Sequence, residues 1–307
     1  MRPHVDVCVA TYKRPELLAK LLRTLAAQET AGRFTFAVHV ADNDVRRSGE
    51  PVVRAFAAEG AAISYGVEPT PSLSLARNLA LSFARGDWIA TTDDDLYVDR
   101  RWLLALHGAA RAHDADVVHG PVVPEFARTP PDWVRDFHVR PNPPTGAGPG
   151  CYVFTAANAL FRRALVADLP APFDPRFGRT GGEDTDLFNR LRDRGCRMIW
   201  CREALAFALV PRERATVRWM LRRSFRHGIV AADAHRRPLT AGEVVGRVGA
   251  MGRLGVMSAL YLAGGVADRE LRQQGLRRLV TMLLYGAQLS GRVARHLRLQ
   301  YEEYKPR

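Results

Sequence analysis

Apolar and polar positions along the first 113 residues alternate between two periods. "VDVCVAT" (5–11), "FAVHVAD" (36–42), "AAISYGV" (61–67) and "DWIATTDD" (87–94) are short, largely apolar runs of the kind that form buried strands. Between them, "PELLAKLLRTLAAQ" places Leu17, Leu18, Leu21, Leu22 and Leu25 at helical spacing, with Pro15 suited to a first turn. "EPVVRAFAAEG", "SLSLARNLALSFARG" and "RRWLLALHGAARAH" predict three further helices, the second stopped at Gly86. Strands alternating with helices of this length predict right-handed βαβ units, hence an α/β fold with a mostly parallel sheet flanked by helices. The binding crevice of such a sheet lies beyond the carboxyl ends of its strands. Thr11, Asp42 and the triplet Asp93, Asp94 and Asp95 all fall there.

The texture then changes. "ARTPPDWVRDFHVRPNPPTGAGPG" (127–150) is dense in Pro and Gly and predicts irregular structure, with Trp133 and Phe137 marking a partly ordered flap. "CYVFTAANALFRRALV" returns to strand and then helix. "FGRTGGEDTDLFNRLRDRG" predicts a Gly-rich turn, an acidic helix start and a Gly stop, and residues 214–237 a basic helix. Two apolar runs follow, 254–267 and 279–291, both short of the ~20 residues of a membrane-spanning helix. They read equally as a buried helical hairpin or as interfacial helices with basic flanks. The expected organisation is a domain over 1–230 and a basic, partly amphipathic helical extension over 231–307.

Composition adds little to this picture, but charge changes it. The 307 residues carry a net charge of +13. Residues 212–307 hold 19 Lys and Arg against 7 Asp and Glu, an excess of +12 that leaves +1 for residues 1–211. A basic appendage on an electrically ordinary domain points to an anionic surface or ligand. Nucleic acid fits poorly, because no helix-turn-helix, zinc or RNP-like motif accompanies the arginines. Cys8, Cys151, Cys196 and Cys201 form no C-x-x-C pair, and the N-terminus lacks the pattern of a signal peptide. Both features fit a cytoplasmic protein with reduced thiols.

Two acidic clusters carry the candidate chemistry. Adjacent carboxylates about 4 Å apart repel by roughly 4 kcal/mol at an effective dielectric near 20. The triplet at 93–95 therefore calls for exposure, protonation or a cation. Asp93 and Asp95, two apart, share a face if the strand persists, and hard oxygen donors at that spacing suit Mg²⁺ or Mn²⁺ held jointly with phosphates. In "GGEDTDLF", Glu183, Asp184 and Asp186 occupy a first helical turn, where the helix dipole favours acids. Capping alone does not require the double glycine Gly181–Gly182 before them. A carboxylate there, beside a cleft and among other acids, has the character of a general base.

Taken in order, "VDVCVATYKRPELLAKLLRTLAAQ", "VHVADND", "SLSLARNLAL", "WIATTDDDLYVDRRWL" and "GGEDTDLFNRLRDRG" resemble glycosyltransferase family two over roughly residues 4–230. Within it, the chain is similar to the bacterial polysaccharide glucosyltransferases of the succinoglycan kind. The resemblance implies the A-type glycosyltransferase fold, a nucleotide-sugar donor and inversion at the transferred sugar. It places Thr11 and Arg14 in the nucleotide pocket, Asp42 on the uracil ring, and Arg77 and Asn78 beside base and diphosphate. The triplet matches the family's D-x-D element. Asp93 and Asp94 then meet the donor, Asp93 and Asp95 the Mn²⁺ or Mg²⁺, and His227 a further metal or phosphate contact. Asp184 matches the catalytic base and Glu183 an acceptor-binding acid. The implied partners are a nucleotide-sugar, UDP-sugar favoured, and a glycan, lipid-linked or natural-product acceptor. A metal-dependent nucleotidyltransferase is the nearest alternative, but "VATYKRPE" lacks the glycine-rich phosphate loop that it would prefer.

Overall fold

A computed structural model describes residues 2–151, 154–178, 180–235, 240–264 and 268–297 of the protein. Tyr152 and Val153 of the strand expected from Cys151, Arg179 of the Gly-rich turn, and residues 236–239, 265–267 and 298–307 of the expected basic helix and extension lie outside the described residues. In chain order the strands are β1 (His4–Thr11), β2 (Thr35–Asp42), β3 (Ile63–Val67), β4 (Trp88–Asp93), β5 (Leu96–Val98), β6 (Val117–His119), β7 (Val122–Phe126), β8 (Asn158–Arg162), β9 (Met198–Trp200) and β10 (Ala206–Val210). The helices are α1 (Pro15–Ala26), α2 (Glu50–Ala58), α3 (Leu73–Ser82), α4 (Trp102–Ala112), α5 (Asp132–His138), α6 (Glu183–Asp193), α7 (Val217–His235), α8 (Ala241–Gly264) and α9 (Arg269–His296).

The described residues divide into two compact units, residues 2–125 with 140–209, and residues 126–139 with 210–297. The first holds a seven-stranded sheet ordered β3-β2-β1-β4-β8-β6-β9. Its pairs are parallel except at β8, which runs antiparallel to both β4 and β6. A smaller sheet orders β5-β10-β7. Period-two alternation sorts β1 across the two faces: Val5, Val7 and Val9 enter one core and Cys8 the other. The first core takes Leu18, Leu21, Leu22 and Leu25 of α1 with Trp102, Leu103 and Leu106 of α4. Each of those buried leucines contributes about 1.5–3 kcal/mol. The second core takes Ala76 and Ala80 of α3 with Leu187, Phe188 and Leu191 of α6. All four cysteines are free.

In the second unit α9 packs against α5, α7 and α8. Its core is Val134, Met220 and Val280, edged by Trp133, Phe137, Trp219 and Leu284. Asp136 of α5 pairs with Arg277 of α9 at 2.6 Å, and the His138 ring stacks on Trp219 at 5.6 Å between centroids. The Pro- and Gly-rich segment is thus not wholly irregular. Pro130 and Pro131 set up a short helix whose apolar residues meet α7 and α9. The helix expected after β8 is a single 3₁₀ turn, Arg163–Leu165, with Pro170 and Pro172 close behind it. Residues 254–264 of the first apolar run form the C-terminal part of α8, and the second run, 279–291, lies inside α9. Among the described residues, no helix is long and apolar enough to cross a membrane.

Candidate active site

Register brings the predicted polar positions to one edge. Thr11, the last residue of β1, pairs directly with Asp42 at the end of β2, and Ala10 pairs with Asp93 at the end of β4. The strand does not persist past Asp93. Residues 94 and 95 turn before β5, so the triplet is divided between two arginines instead of sharing a face.

Arg14, the residue before α1, reaches Asp94 at 3.2 Å and Asp95 at 3.3 Å, and the Thr11 hydroxyl donates to Asp94 at 2.8 Å. Asp94 is buried, and desolvation pushes its carboxyl up to about 6 against the pull of Arg14 and Thr11. The Asp95 side chain is one-quarter exposed (26%).

Arg77 lies on the buried face of α3 among alanines. It donates to Asp93 at 2.7 Å and makes a short contact with Glu183. Burial opposes the charge on Arg77, but Asp93, Glu183 and Asp184 outweigh it and hold the guanidinium charged. Burial pushes the Glu183 carboxyl up to about 7, with Arg77 pulling it down and Asp184 and Asp93 adding to the rise. Among the described residues, Glu183 Oε2 has no hydrogen-bond partner. Arg77 therefore ties the two acidic clusters together across 106 positions of chain.

The double glycine has a backbone reason. Gly181 has φ +77° and Gly182 φ +102°, left-handed values that side chains with a Cβ rarely adopt. That turn starts α6 with Glu183 facing inward and Asp184 half-buried. Asp184 accepts from the Thr185 N–H at 2.7 Å, and its other oxygen has only a long contact, 3.4 Å, with the Ala156 N–H. Asp186 pairs instead with Arg190 at 2.8 Å, one turn along the helix.

Two predicted positions turn their polar atoms into the protein. Asp42 is fully buried; it accepts from the Asp44 and Gly49 N–H groups at 2.9 and 2.7 Å and from the Tyr65 hydroxyl at 2.9 Å. Asn78 donates to the Phe173 carbonyl at 2.7 Å and accepts from the Phe173 N–H at 2.9 Å. It thereby fastens the segment before the glycine turn to α3. His227 is half-buried on α7, in the other unit. The contacts that join Arg14 and Arg77 to the two acidic clusters are made without it.

Sequence reasoning missed Tyr65 and Asn43. Asn43 donates to the Glu68 and Thr70 carbonyls, both at 2.7 Å, and accepts from the Ser72 N–H at 2.9 Å, which sets the entry to α3. Its position inside "ADND", directly past a strand end, was the available signal. For a metal, the donors present are the hard carboxylate oxygens of Asp93 and Asp95, both partly exposed at the strand end. That set fits Mg²⁺ or Mn²⁺, which take one or two carboxylates when substrate phosphates complete the shell.

Comparison with known proteins gives the family. Residues 6–169 match the model of the family described as "Glycosyl transferase family 2". The chain is 36% identical over 238 residues to the succinoglycan biosynthesis protein ExoM of Rhizobium meliloti (strain 1021), covering 76% of this chain and 77% of that one. Among solved structures, the mannosyltransferase PcManGT from Pyrobaculum calidifontis, in complex with GDP-Man and Mn²⁺, superposes with TM-score 0.66 at 21% identity. The match covers 98% of this chain and 89% of that one. S. aureus TarS 1–349 in complex with UDP-GlcNAc gives TM-score 0.56 at 14% identity, over 98% and 93% of the two chains. With an A-type sheet, two acidic clusters at its carboxyl edge, and this match in sequence, the chain belongs to glycosyltransferase family 2 and is a glycosyltransferase.

Proposed function

We propose that the protein moves a sugar from a nucleoside-diphosphate sugar, a UDP-sugar by preference, onto a hydroxyl of a glycan or lipid-linked acceptor, with inversion at the anomeric carbon. The observation that carries this reading is the division of labour between neighbours on α6. Glu183 is buried against Arg77, whereas Asp184 is half-buried with one oxygen lightly held. Of the two, Asp184 is the more accessible to an incoming hydroxyl, which is a poor nucleophile until a base takes its proton. One such base opposite the leaving group gives a single displacement.

Asp93 and Asp95 would hold Mn²⁺ or Mg²⁺ together with the donor diphosphate. When bound, that cation supplies Lewis-acid stabilisation of the leaving group. Arg14, already on Asp94 and Asp95, adds positive charge where the diphosphate would sit. Thr11 fixes the buried Asp94, and Asp42 and Asn78 act by shaping the loops around the nucleotide. In this reading the enzyme works in the cytoplasm, on the inner face of the membrane, with residues 212–307 toward anionic lipid. The relatives in complex with GDP-Man and UDP-GlcNAc support a nucleotide-sugar donor of either base.

The test is release of nucleoside diphosphate from a panel of UDP-, GDP- and dTDP-sugars, with Mn²⁺, Mg²⁺ or chelator, followed by NMR of the product anomer. Release from a UDP-sugar that requires metal, with inverted product, is the expected result. A retained anomeric configuration would overturn the single displacement.

A further inference from the structure

The outward face of α8 is a surface without a partner among the described residues. Its inward face is closely fitted to α9. Ser258 donates to the Gly275 carbonyl at 2.8 Å, and the Arg278 guanidinium lies 4.1 Å from the Tyr261 ring centroid. A Cβ on Gly275 would meet Leu262 at 2.8 Å. At 100° per residue, the opposite arc, about 120° wide, runs from Ala241 to Ala263, about 33 Å along the axis. Every residue on it is Ala, Gly, Val or Leu, and every one is exposed. Val245, Val248, Val256 and Leu260 are 70%, 54%, 63% and 62% exposed. Arg253 borders the arc, and no charged residue lies within it. Such a strip is longer than scattered surface residues account for.

We propose that this strip inserts, parallel to the surface, into the headgroup boundary of an anionic phospholipid bilayer. The inference rests on the reading that residues 212–307 face anionic lipid, and it names the contact face. Three observations select that occupant. The +12 excess of residues 212–307 complements an anionic surface and opposes close approach of a second copy with the same charge. The helix carries one continuous apolar side on a body that is not long and apolar enough to span a membrane, a combination that suits the interface. Its α9-facing side stays packed, so docking requires no rearrangement of the helix pair.

The experiment uses the full chain with vesicles of phosphatidylcholine alone and mixed with phosphatidylglycerol, at low and high salt. The protein sediments with the anionic vesicles at low salt. The double substitution Val256→Gln/Leu260→Gln lowers the partition coefficient by at least about tenfold, without altering the circular dichroism melt or metal-dependent nucleoside diphosphate release. A tryptophan at position 260 (Leu260→Trp) blue-shifts on anionic vesicles. If the intact protein ignores anionic vesicles, both the face and the lipid reading fall. If the double variant sediments like the parent, the face alone is wrong and the arginines suffice. A dimer in light scattering that the double variant abolishes would identify a second copy as the occupant and overturn the proposal.

Discussion

Replacing Arg77 by Met removes the cation that Glu183 has against it. The Glu183 side chain is 4% exposed and that of Arg77 10%. Breaking a buried pair from one side leaves an uncompensated charge, at a cost of roughly 3–5 kcal/mol. The second partner, Asp93, is 37% exposed, so losing its pair adds only about 0–1 kcal/mol. For a domain of this size, each kcal/mol shifts the midpoint by about 2–4 °C, so Arg77→Met should melt roughly 6–20 °C lower at pH 8. The sign with pH follows from Glu183, whose carboxyl moves from an ordinary 4.5 up to about 7 on folding. The folded state then binds the proton more tightly, so this group's contribution is fully present below pH 4.5 and is lost as pH rises to 7. At pH 5 Glu183 is largely neutral in parent and variant alike, and the deficit should shrink to roughly 1–2 kcal/mol. The assay is a double-mutant cycle of Arg77→Met and Glu183→Gln, followed by circular dichroism melts at pH 5 and pH 8. The double variant should recover most of the loss at pH 8, with a coupling of at least about 2 kcal/mol. Equal deficits at the two pH values, or simple additivity, would refute Arg77 as the counter-charge of Glu183.

Four further outcomes are expected. Asp95→Asn should abolish metal-dependent turnover with little change in the melt; near-parental turnover would remove Asp95 from the metal. Asp184→Asn should lower kcat by about 10²–10⁴-fold with donor affinity nearly unchanged. Unaltered kcat there, with Glu183→Gln inactive, would move the base one residue back. Asn78→Ala loses both hydrogen bonds to Phe173, and should cost about 1–3 kcal/mol and depress kcat through the glycine turn; an unchanged melt would show that the clamp is dispensable. Tyr65→Phe strips one of three donors from buried Asp42, and should cost about 1 kcal/mol in denaturant unfolding.

The βα alternation of residues 4–112 was legible because each element carries its own period and a clear stop. Past residue 113 the strands shorten to three or five residues, too few for alternation to register, so β6, β9 and β10 left no distinct pattern, and the three-residue β5 escaped notice earlier for the same reason. β8 is buried from Asn158 to Phe161, and its apolar centre, Ala159 to Phe161, reads the same whichever way the strand runs, so its antiparallel direction could not be read. α5 hid in a Pro-rich segment because its helical signal is only Trp133, Val134 and Phe137, and its packing partners lie more than 80 residues away. In the site, the acids were legible as clusters at strand and helix ends. The selection of Arg14 and Arg77 from 45 basic residues as their counter-ions was visible only in the resemblance, and the division of the triplet between them depends on a turn at Asp94. Asn78 shows the same limit, since an amide engaged by the Phe173 backbone looks in sequence like one that faces a ligand.

The placement of α5 in the second unit sets a schedule for synthesis. Val134 belongs to the same core as Val280, 146 positions later. At about 5–20 residues per second, α5 waits roughly 7–30 s on the ribosome for that partner. Residues 140–209 emerge in between and belong to the first unit, so that unit gains its last strands while Trp133, Val134 and Phe137 remain uncovered. The chain thus carries an apolar segment in waiting through nearly half of its translation, a natural site for a chaperone to hold. For the same reason, a chain cut near residue 209 to isolate the first unit would retain α5 without its core, and removing residues 126–139 as well gives the better-behaved truncation.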